Sequence, residues 1–232
     1  MIKVRKSQER GHTRESWLDS YHTFSFDTYQ DPEHTQFRTL RVINEDWVAP
    51  ARGFPLHPHR DMEIFTFVIS GVLEHKDSLG GHERIAAGEV QRITAGSGIR
   101  HSEANPSSSE EVHLLQIWIF PEEKGLEPGY EKKSFAAGDN DEALRLIASP
   151  DGRGDSAVIH QNVALYTGSL QAGGQLDYSL GEGRHAWLQI ITGDVAVNGC
   201  HLSDGDGAAV SDEGLLDIQA SSDTRFILFD LN

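Results

Sequence analysis

The chain has 232 residues, of which 38% are hydrophobic and 24% are charged, and this is typical of a globular protein with one large domain or two small ones. No apolar run approaches the roughly 20 residues that a membrane-spanning helix needs, and the charged N-terminus lacks the apolar core of a signal peptide. The single cysteine, Cys200, excludes an internal disulfide and suits a reducing compartment. We therefore expect a cytoplasmic protein without a membrane anchor.

The formal net charge is −16, and the second half of the chain carries most of it. From Phe135 onward the sequence contains four arginines, no lysine and 15 acidic residues. Because such a surface repels phosphate backbones, we expect no direct binding to nucleic acid.

Strand signals dominate the chain. Segments rich in β-branched and aromatic residues, each bounded by turn-forming residues, predict strands at 63–70, 112–120, 185–192 and 224–231. With 23 glycines between short runs, the pattern favours antiparallel sandwiches or barrels over βαβ units. The best helix candidate is 139–148, with Asp139 or Asn140 as its N-cap.

A polar segment at 121–140, with two prolines and three glycines, predicts a connection between two packed halves, 1–130 and 131–232. The halves share a weak repeat, in which an apolar strand ends at Ser70-Gly71 in the first and at Thr192-Gly193 in the second. This repeat suggests a duplicated β-barrel.

The sharpest local signal is His57-Pro58-His59, followed later by His101-Ser102-Glu103. Alternate residues of a strand face the same side, so each pair can direct two side chains toward one point. Two such pairs on facing strands would supply three imidazole nitrogens and one carboxylate oxygen. These ligands suit Fe, Mn, Ni, Cu or Zn.

The surrounding residues resemble a known family. Residues 53–71 and 88–105 are similar to the first and second cupin motifs, respectively. Within and around them, HPHRDMEI, TAGSGIRHSE, QIWIFP, SYHTFSF and LRVINED resemble pirins. The resemblance runs almost continuously from about Arg10 to Tyr130 and continues weakly beyond.

For the fold, the resemblance implies an all-β bicupin, with two antiparallel, jelly-roll-like β-barrels packed together. Residues 1–130 would hold the metal, and residues 131–232 would form a degenerate cupin without one. In that second half His160, His185 and His201 form no H-x-H pair.

For the ligand set, the resemblance implies His57, His59, His101 and Glu103. Most cupins would use Glu63 instead of Glu103. Glu63 lies four residues beyond His59, roughly 13 Å along an uninterrupted strand, although a bend could still bring it to the site. It is also a candidate to orient a ligand imidazole.

For the activity, the resemblance implies a quercetin 2,3-dioxygenase-like oxidoreductase that cleaves a flavonol, or a similar enol or catechol, with O2. Glu103 would be both metal ligand and proton acceptor. We expect one divalent transition metal, Fe(II) first, with Mn, Ni, Cu and Zn open, and a monomeric protein. The alternative is a non-catalytic, iron-dependent redox sensor that binds a protein partner.

A third class, sugar isomerases, would need phosphate-binding arginines, but Arg60 and Arg100 each neighbour a ligand in sequence and should point away from the site. The pirin-like segments contain Phe24, Phe26 and Phe54, which could line a substrate pocket. They also contain His22 and His75, for which we expect a structural hydrogen-bonding role.

Overall fold

The protein is described from a computed structural model, which covers residues 1–135 and 143–232. In this part of the chain the regular structure consists of 22 strands and two short 3₁₀ turns, Ser7–Glu9 and Arg153–Asp155. The predicted all-β fold is confirmed. Within the same ranges no helix has the length and apolar character needed to cross a membrane.

The described residues divide into two compact units. The N-terminal unit contains residues 11–135 and 157–161, and the C-terminal unit contains residues 1–10, 143–156 and 162–232. This division differs from the predicted boundary at residue 130. The first residues of the chain belong to the C-terminal unit because Ile2–Arg5 pairs with strand Gly207–Val210.

The N-terminal unit contains two antiparallel sheets. One follows the order β12-β9-β6-β11-β4-β3-β2 and the other the order β5-β10-β7-β8. Their strands are β2 (Gly11–Arg14), β3 (Leu18–His22), β4 (Leu40–Val48), β5 (Gly53–His59), β6 (Glu63–Ser70), β7 (Val72–Asp77), β8 (His82–Ala86), β9 (Glu89–Thr94), β10 (Ile99–Ala104), β11 (Val112–Ile119) and β12 (Gly129–Ser134). The short strand β14 (Ala157–Val158) also lies in this unit.

The C-terminal unit repeats this arrangement. Its larger sheet contains the order β1-β20-β17-β22-β15-β13, and its smaller sheet follows the order β16-β21-β18-β19. Its strands are β1 (Ile2–Arg5), β13 (Leu144–Ser149), β15 (Ala164–Leu170), β16 (Gln175–Ser179), β17 (His185–Thr192), β18 (Val195–Val197), β19 (Cys200–Leu202), β20 (Gly207–Val210), β21 (Leu215–Ala220) and β22 (Thr224–Leu231). Because β6 and β17 occupy equivalent places in the two orders, the weak sequence repeat corresponds to a duplicated topology.

The glycines of that repeat have a physical role. Gly71 and Gly193 follow the equivalent strands β6 and β17 with φ of +81° and +93°, values that side chains with a Cβ rarely adopt. A Cβ at Gly71 would lie 2.8 Å from the backbone oxygen of Glu111. Glycine at these positions therefore allows the chain to turn tightly at the end of a central strand.

The predicted helix at 139–148 is wrong where the structure describes it. Leu144–Ser149 is strand β13, which pairs antiparallel with β15, and its residues Ile147 and Ala148 are buried. Sheet pairing and burial outweigh a weak local helix propensity. The proposed N-cap residues Asp139 and Asn140 lie outside the described residues.

The predicted connection at 121–140 is only partly irregular. Gly129–Ser134 forms β12, which pairs antiparallel with β9 at the edge of the larger sheet. Its polar composition is that of an edge strand with one solvent-facing side. Residues 136–140 of this segment lie outside the described range.

Candidate metal centre

The two histidine-containing pairs lie on neighbouring strands. β5 and β10 pair antiparallel, with His57 opposite His101, and strand alternation puts His59 on the same face as His57. The metal-binding atoms of these three histidines lie within 4.8 Å of one another. The structure thus brings the three predicted imidazoles together.

Hydrogen bonding sets the direction of the His57 ring. Its Nδ1 lies 2.7 Å from the carbonyl oxygen of Pro55, and because a carbonyl only accepts, Nδ1 carries the proton. The ring therefore directs Nε2 toward the other histidines, and His57 Nε2 lies 3.0 Å from His101 Nε2. In metal sites generally, a hydrogen bond to the ring nitrogen that does not bind the metal orients the imidazole.

The donor set fits a transition metal. His57 Nε2 and His101 Nε2 lie 3.0 Å apart, and three imidazole nitrogens near a carboxylate form a donor set that Fe, Mn, Ni, Cu or Zn would take. His59 completes the trio, and its ring is held edge-on against Trp118 with 5.0 Å between ring centroids.

Two of the imidazoles, those of His59 and His101, are kept neutral. Burial, together with the neighbouring rings of His101 and His57, lowers the pKa of His59 to about 4. Burial, with the His57 and His75 rings, lowers the pKa of His101 to about 3. A metal binds only the neutral ring, so near neutral pH no proton has to leave either imidazole.

Glu103 is the buried carboxylate beside these rings. β10 pairs regularly with β7, so His101 and Glu103 share a face of β10. The register with β5 shifts between them, because Glu103 lies opposite Phe54 and the extra residue is on β5. Its Oε1 accepts hydrogen bonds from Gln91 Nε2 and, at 3.4 Å, from Thr66 Oγ1. Its Oε2 accepts a 2.9 Å hydrogen bond from Gln116 Nε2. The amides of Gln91 and Gln116 therefore fix the carboxylate, because the single Thr66 hydroxyl proton has a nearer acceptor, Gln116 Oε1, at 2.9 Å.

His75 lies closer to this cluster than the sequence suggested. It is fully buried, and its metal-binding atom lies within 4.8 Å of those of His101 and Glu103. Its Nε2 hydrogen bonds to Asp77 Oδ2 at 2.8 Å, which agrees with the expected structural role. The sequence feature that indicates His75 is the alternation His75-Lys76-Asp77 on β7. The register of β7 with β10 places His75 opposite Glu103.

Glu63 occupies a different place. Its Oε2 accepts hydrogen bonds from Thr94 Oγ1 at 3.2 Å and from the His160 backbone N–H at 3.3 Å. Within the described residues no hydrogen bond joins Glu63 to His57, His59 or His101, so the expectation that it orients a ligand imidazole is wrong. His160, expected in the second half, belongs to the N-terminal unit.

A pocket of about 360 Å³ opens onto the histidines and Glu103. Its wall combines aromatic and aliphatic side chains with a few polar groups. The lining residues are Thr13, Glu15, Trp17, Leu18, Ser20, His22, Phe26, Asp27, Asn44, Asp46, Phe54, Pro55, His57, His59, Glu103, Gln116 and Trp118. Phe26 and Phe54 line the pocket as expected, whereas Phe24 is a buried core residue and does not.

The remaining expectations concern residues near the pocket. His22 has a structural hydrogen-bonding role, because its Nδ1 lies 2.9 Å from Asn44 Oδ1 and its Nε2 lies 2.9 Å from Thr13 Oγ1. Arg60 and Arg100 are exposed and absent from the lining, as strand alternation predicts. Among the described lining residues there is no lysine or arginine to bind a phosphate.

Comparison with known proteins agrees with this geometry. The family described as Pirin matches residues 3–119, and that described as Quercetinase C-terminal cupin domain matches residues 146–231. A relative named quercetin 2,3-dioxygenase, from Escherichia coli (strain K12), is 48% identical over 231 residues, which cover 100% of this chain and 99% of the relative. A pirin-like protein from Caulobacter vibrioides is 39% identical, with 99% of each chain covered.

Solved structures show the same likeness. The crystal structure of YhhW from Escherichia coli matches with a TM-score of 0.97 at 47% identity, covering 100% of this chain and 98% of that one. A second structure, of bacterial pirin YhhW in complex with nickel(II), matches with a TM-score of 0.96 at 48% identity and covers 100% and 99% of the two chains.

Proposed function

Since this chain belongs to the pirin family and has its bicupin fold, we propose that it is a metal-dependent dioxygenase of the quercetin 2,3-dioxygenase type. Its substrates would be O2 and a flavonol, or a similar enol or catechol. The observation that carries the proposal is the clustering of the His57, His59 and His101 imidazoles beside an aromatic-walled pocket, which His57, His59 and Glu103 line.

The ligands we propose are His57, His59, His101 and Glu103, for one divalent transition metal. The relative whose structure contains nickel(II) supports a site of this kind, and Fe(II) remains our first expectation for this chain. When bound, the ion supplies a Lewis acid for the substrate oxygen and a place for O2. Three nitrogens and one carboxylate leave positions open for both.

The pocket walls suit a flat, largely apolar ring system. Trp17, Phe26, Phe54 and Trp118 supply broad apolar faces, as small-molecule sites commonly do. The absence of lysine and arginine from the described lining argues against phosphorylated sugars. The walls therefore hold a planar ring system and exclude water from its reacting edge.

Glu103 is placed to take a proton. It lines the pocket, and its hydrogen bonds from Gln91 and Gln116 hold both carboxylate oxygens in position. The acidic hydroxyl of a flavonol or catechol must lose its proton on reaction, and a carboxylate within hydrogen-bond reach can accept it. Glu103 would then both anchor the metal and act as the base.

The test is to load the metal-free protein anaerobically with Fe(II), Mn(II), Ni(II) or Cu(II), add quercetin and O2, and follow the loss of flavonol absorbance. We expect chelation and the His57→Ala substitution to abolish the reaction. The matched control is His82→Ala, because His82 is an exposed histidine outside the site.

An equal rate for His57→Ala would show that free metal is responsible and would contradict the proposal. No turnover with any of the four metals would favour the alternative of a non-catalytic redox sensor with a protein partner.

A further inference from the structure

A second buried acid lines the pocket besides Glu103. Asp46 on β4 lies opposite Ser20 on β3, and only 3% of Asp46 and 2% of Ser20 is exposed. Both residues line the pocket. The Ser20 hydroxyl donates a short hydrogen bond to Asp46 Oδ1, which fixes the orientation of the carboxyl group.

Asp46 has no cation to balance it. No lysine or arginine is found among the described lining residues, and none forms an ion pair with Asp46 in the described ranges. Its neighbour Glu45 is different, because Glu45 Oε1 pairs with His113 Nε2 at 3.0 Å. Burying a carboxyl group without a charged partner is costly, so a purely structural role leaves its presence unexplained.

The environment of Asp46 keeps both protonation states accessible. Burial, with a smaller contribution from the charges of Glu103 and Glu45, raises the pKa of Asp46 to about 7, and the hydrogen bond from the Ser20 hydroxyl partly opposes this rise. The group can therefore accept or donate a hydrogen bond near neutral pH.

One oxygen of Asp46 is available to a ligand. Within the described residues, Ser20 is the hydrogen-bonding partner of the Asp46 side chain, and its bond goes to Oδ1. The nearby polar groups of His22 and Asn44 are already bonded to each other. Oδ2 of Asp46 therefore has no protein hydrogen-bonding partner among the described residues and is available to a ligand.

We propose that Asp46, positioned by Ser20, binds a phenolic hydroxyl of the substrate other than the one at the metal, and so selects polyhydroxylated aromatic compounds. This inference rests on the proposed function, whose substrate class it narrows. A site built to pair with a hydroxyl discriminates strongly against an analogue that lacks it, because the analogue leaves a buried polar group unpaired.

The experiment compares two flavonols by anaerobic binding to the nickel-loaded protein, using quenching of tryptophan fluorescence. Quercetin carries several phenolic hydroxyls, whereas 3-hydroxyflavone carries only the hydroxyl that would face the metal. The wild-type protein should bind quercetin about 10- to 100-fold more tightly. The isosteric variant Asp46→Leu should lose most of that preference and bind 3-hydroxyflavone within about twofold of the wild type.

Two further variants test whether the preference depends on the position of the Asp46 carboxyl group. Ser20→Ala should reduce the preference partially, because it removes the bond that orients Asp46 but leaves the carboxyl group. Glu33→Gln changes an exposed acid that does not line the pocket and should leave the preference unchanged. Metal content and the thermal unfolding midpoint of each variant show whether the site and the fold persist.

Equal affinity of wild type for both flavonols, or an equal loss of both in Asp46→Leu, would overturn the proposal. Turnover without this preference would remove the role of Asp46 and leave the proposed function standing. Selective binding that depends on Asp46, without turnover with any metal, would support the role of Asp46 and contradict the proposed function. Binding of neither flavonol would reject both.

Discussion

Replacing Glu103 with glutamine should empty the proposed metal site without unfolding the protein. In the wild type, Glu103 accepts hydrogen bonds from Gln91, Thr66 and Gln116. In glutamine an NH2 group replaces one of the two carboxylate oxygens, so a donor of the new side chain faces a donor of a neighbouring residue. The loss amounts to one hydrogen bond to a charged group, about 1.5–3 kcal/mol of folding free energy in the metal-free protein.

The effect on metal affinity should be larger. Removing a group that merely orients a ligand usually lowers affinity by about 10- to 100-fold. If Glu103 is itself a ligand, Glu103→Gln should exceed that range, and a factor of 100 corresponds to about 2.7 kcal/mol. The measurement is titration of the metal-free protein with nickel(II) against a competing chelator, with elemental analysis of the bound metal.

The matched control is Glu63→Gln. Glu63 is equally buried and hydrogen bonded by Thr94 and His160, so the chemical change is the same, but it lies outside the histidine cluster. We expect its metal affinity to stay within a few-fold of the wild type. If Glu63→Gln empties the site and Glu103→Gln does not, the ligand assignment is wrong and the general cupin arrangement holds.

Three further predictions follow from the same contacts. Elemental analysis of the fully loaded protein should give one metal per chain, and two equivalents would contradict the assignment to the N-terminal unit alone. Because burial holds the pKa of His59 at about 4 and that of His101 at about 3, below the ordinary 6.5, the unfolded chain binds more protons as pH falls. The free energy of unfolding of the metal-free protein, measured with urea, should therefore fall from pH 6.5 toward 4 and level off above 6.5. The fall should be less steep in His59→Asn, and the same pH dependence in this variant and the wild type would refute this account. Gly168→Ala, whose Cβ would collide with the Phe226 ring, should lower stability by about 1–3 kcal/mol, whereas Gly214→Ala, with no atom within 4 Å of its Cβ, should have little effect on the thermal midpoint.

Local pattern predicts the strands of this fold well because their burial is nearly complete. The predicted segments 63–70, 185–192 and 224–231 coincide with β6, β17 and β22. These are central strands whose two faces are both covered, so apolar and β-branched residues run continuously. The segment at 144–149 is a strand although Asp139 or Asn140 offers a helix N-cap, because a local capping signal does not include the pairing with β15.

The three clustered histidines can be predicted from the sequence for a related reason. Two histidines separated by one residue on a strand lie on the same face, since alternate side chains share a face. The position of His101 opposite His57 follows from strand register, which the sequence does not specify by itself. The sequence predicts only a structural role for the nearby His75, because the proximity of His75 to Glu103 depends on the pairing of β7 with β10.

Asp46 marks the limit of what the sequence can reveal. In LRVINEDWV it is one of two adjacent acids, and strand alternation says only that Glu45 and Asp46 face opposite sides. The structure shows that Glu45 pairs with His113, the second residue of β11, while Asp46 lies in the pocket wall with Ser20. Both acids are buried, but Glu45 contacts an imidazole, whereas the hydrogen-bonding partner of Asp46 is a hydroxyl. That difference arises from tertiary packing, so the substrate preference we attribute to Asp46 can be inferred only after the pocket is known.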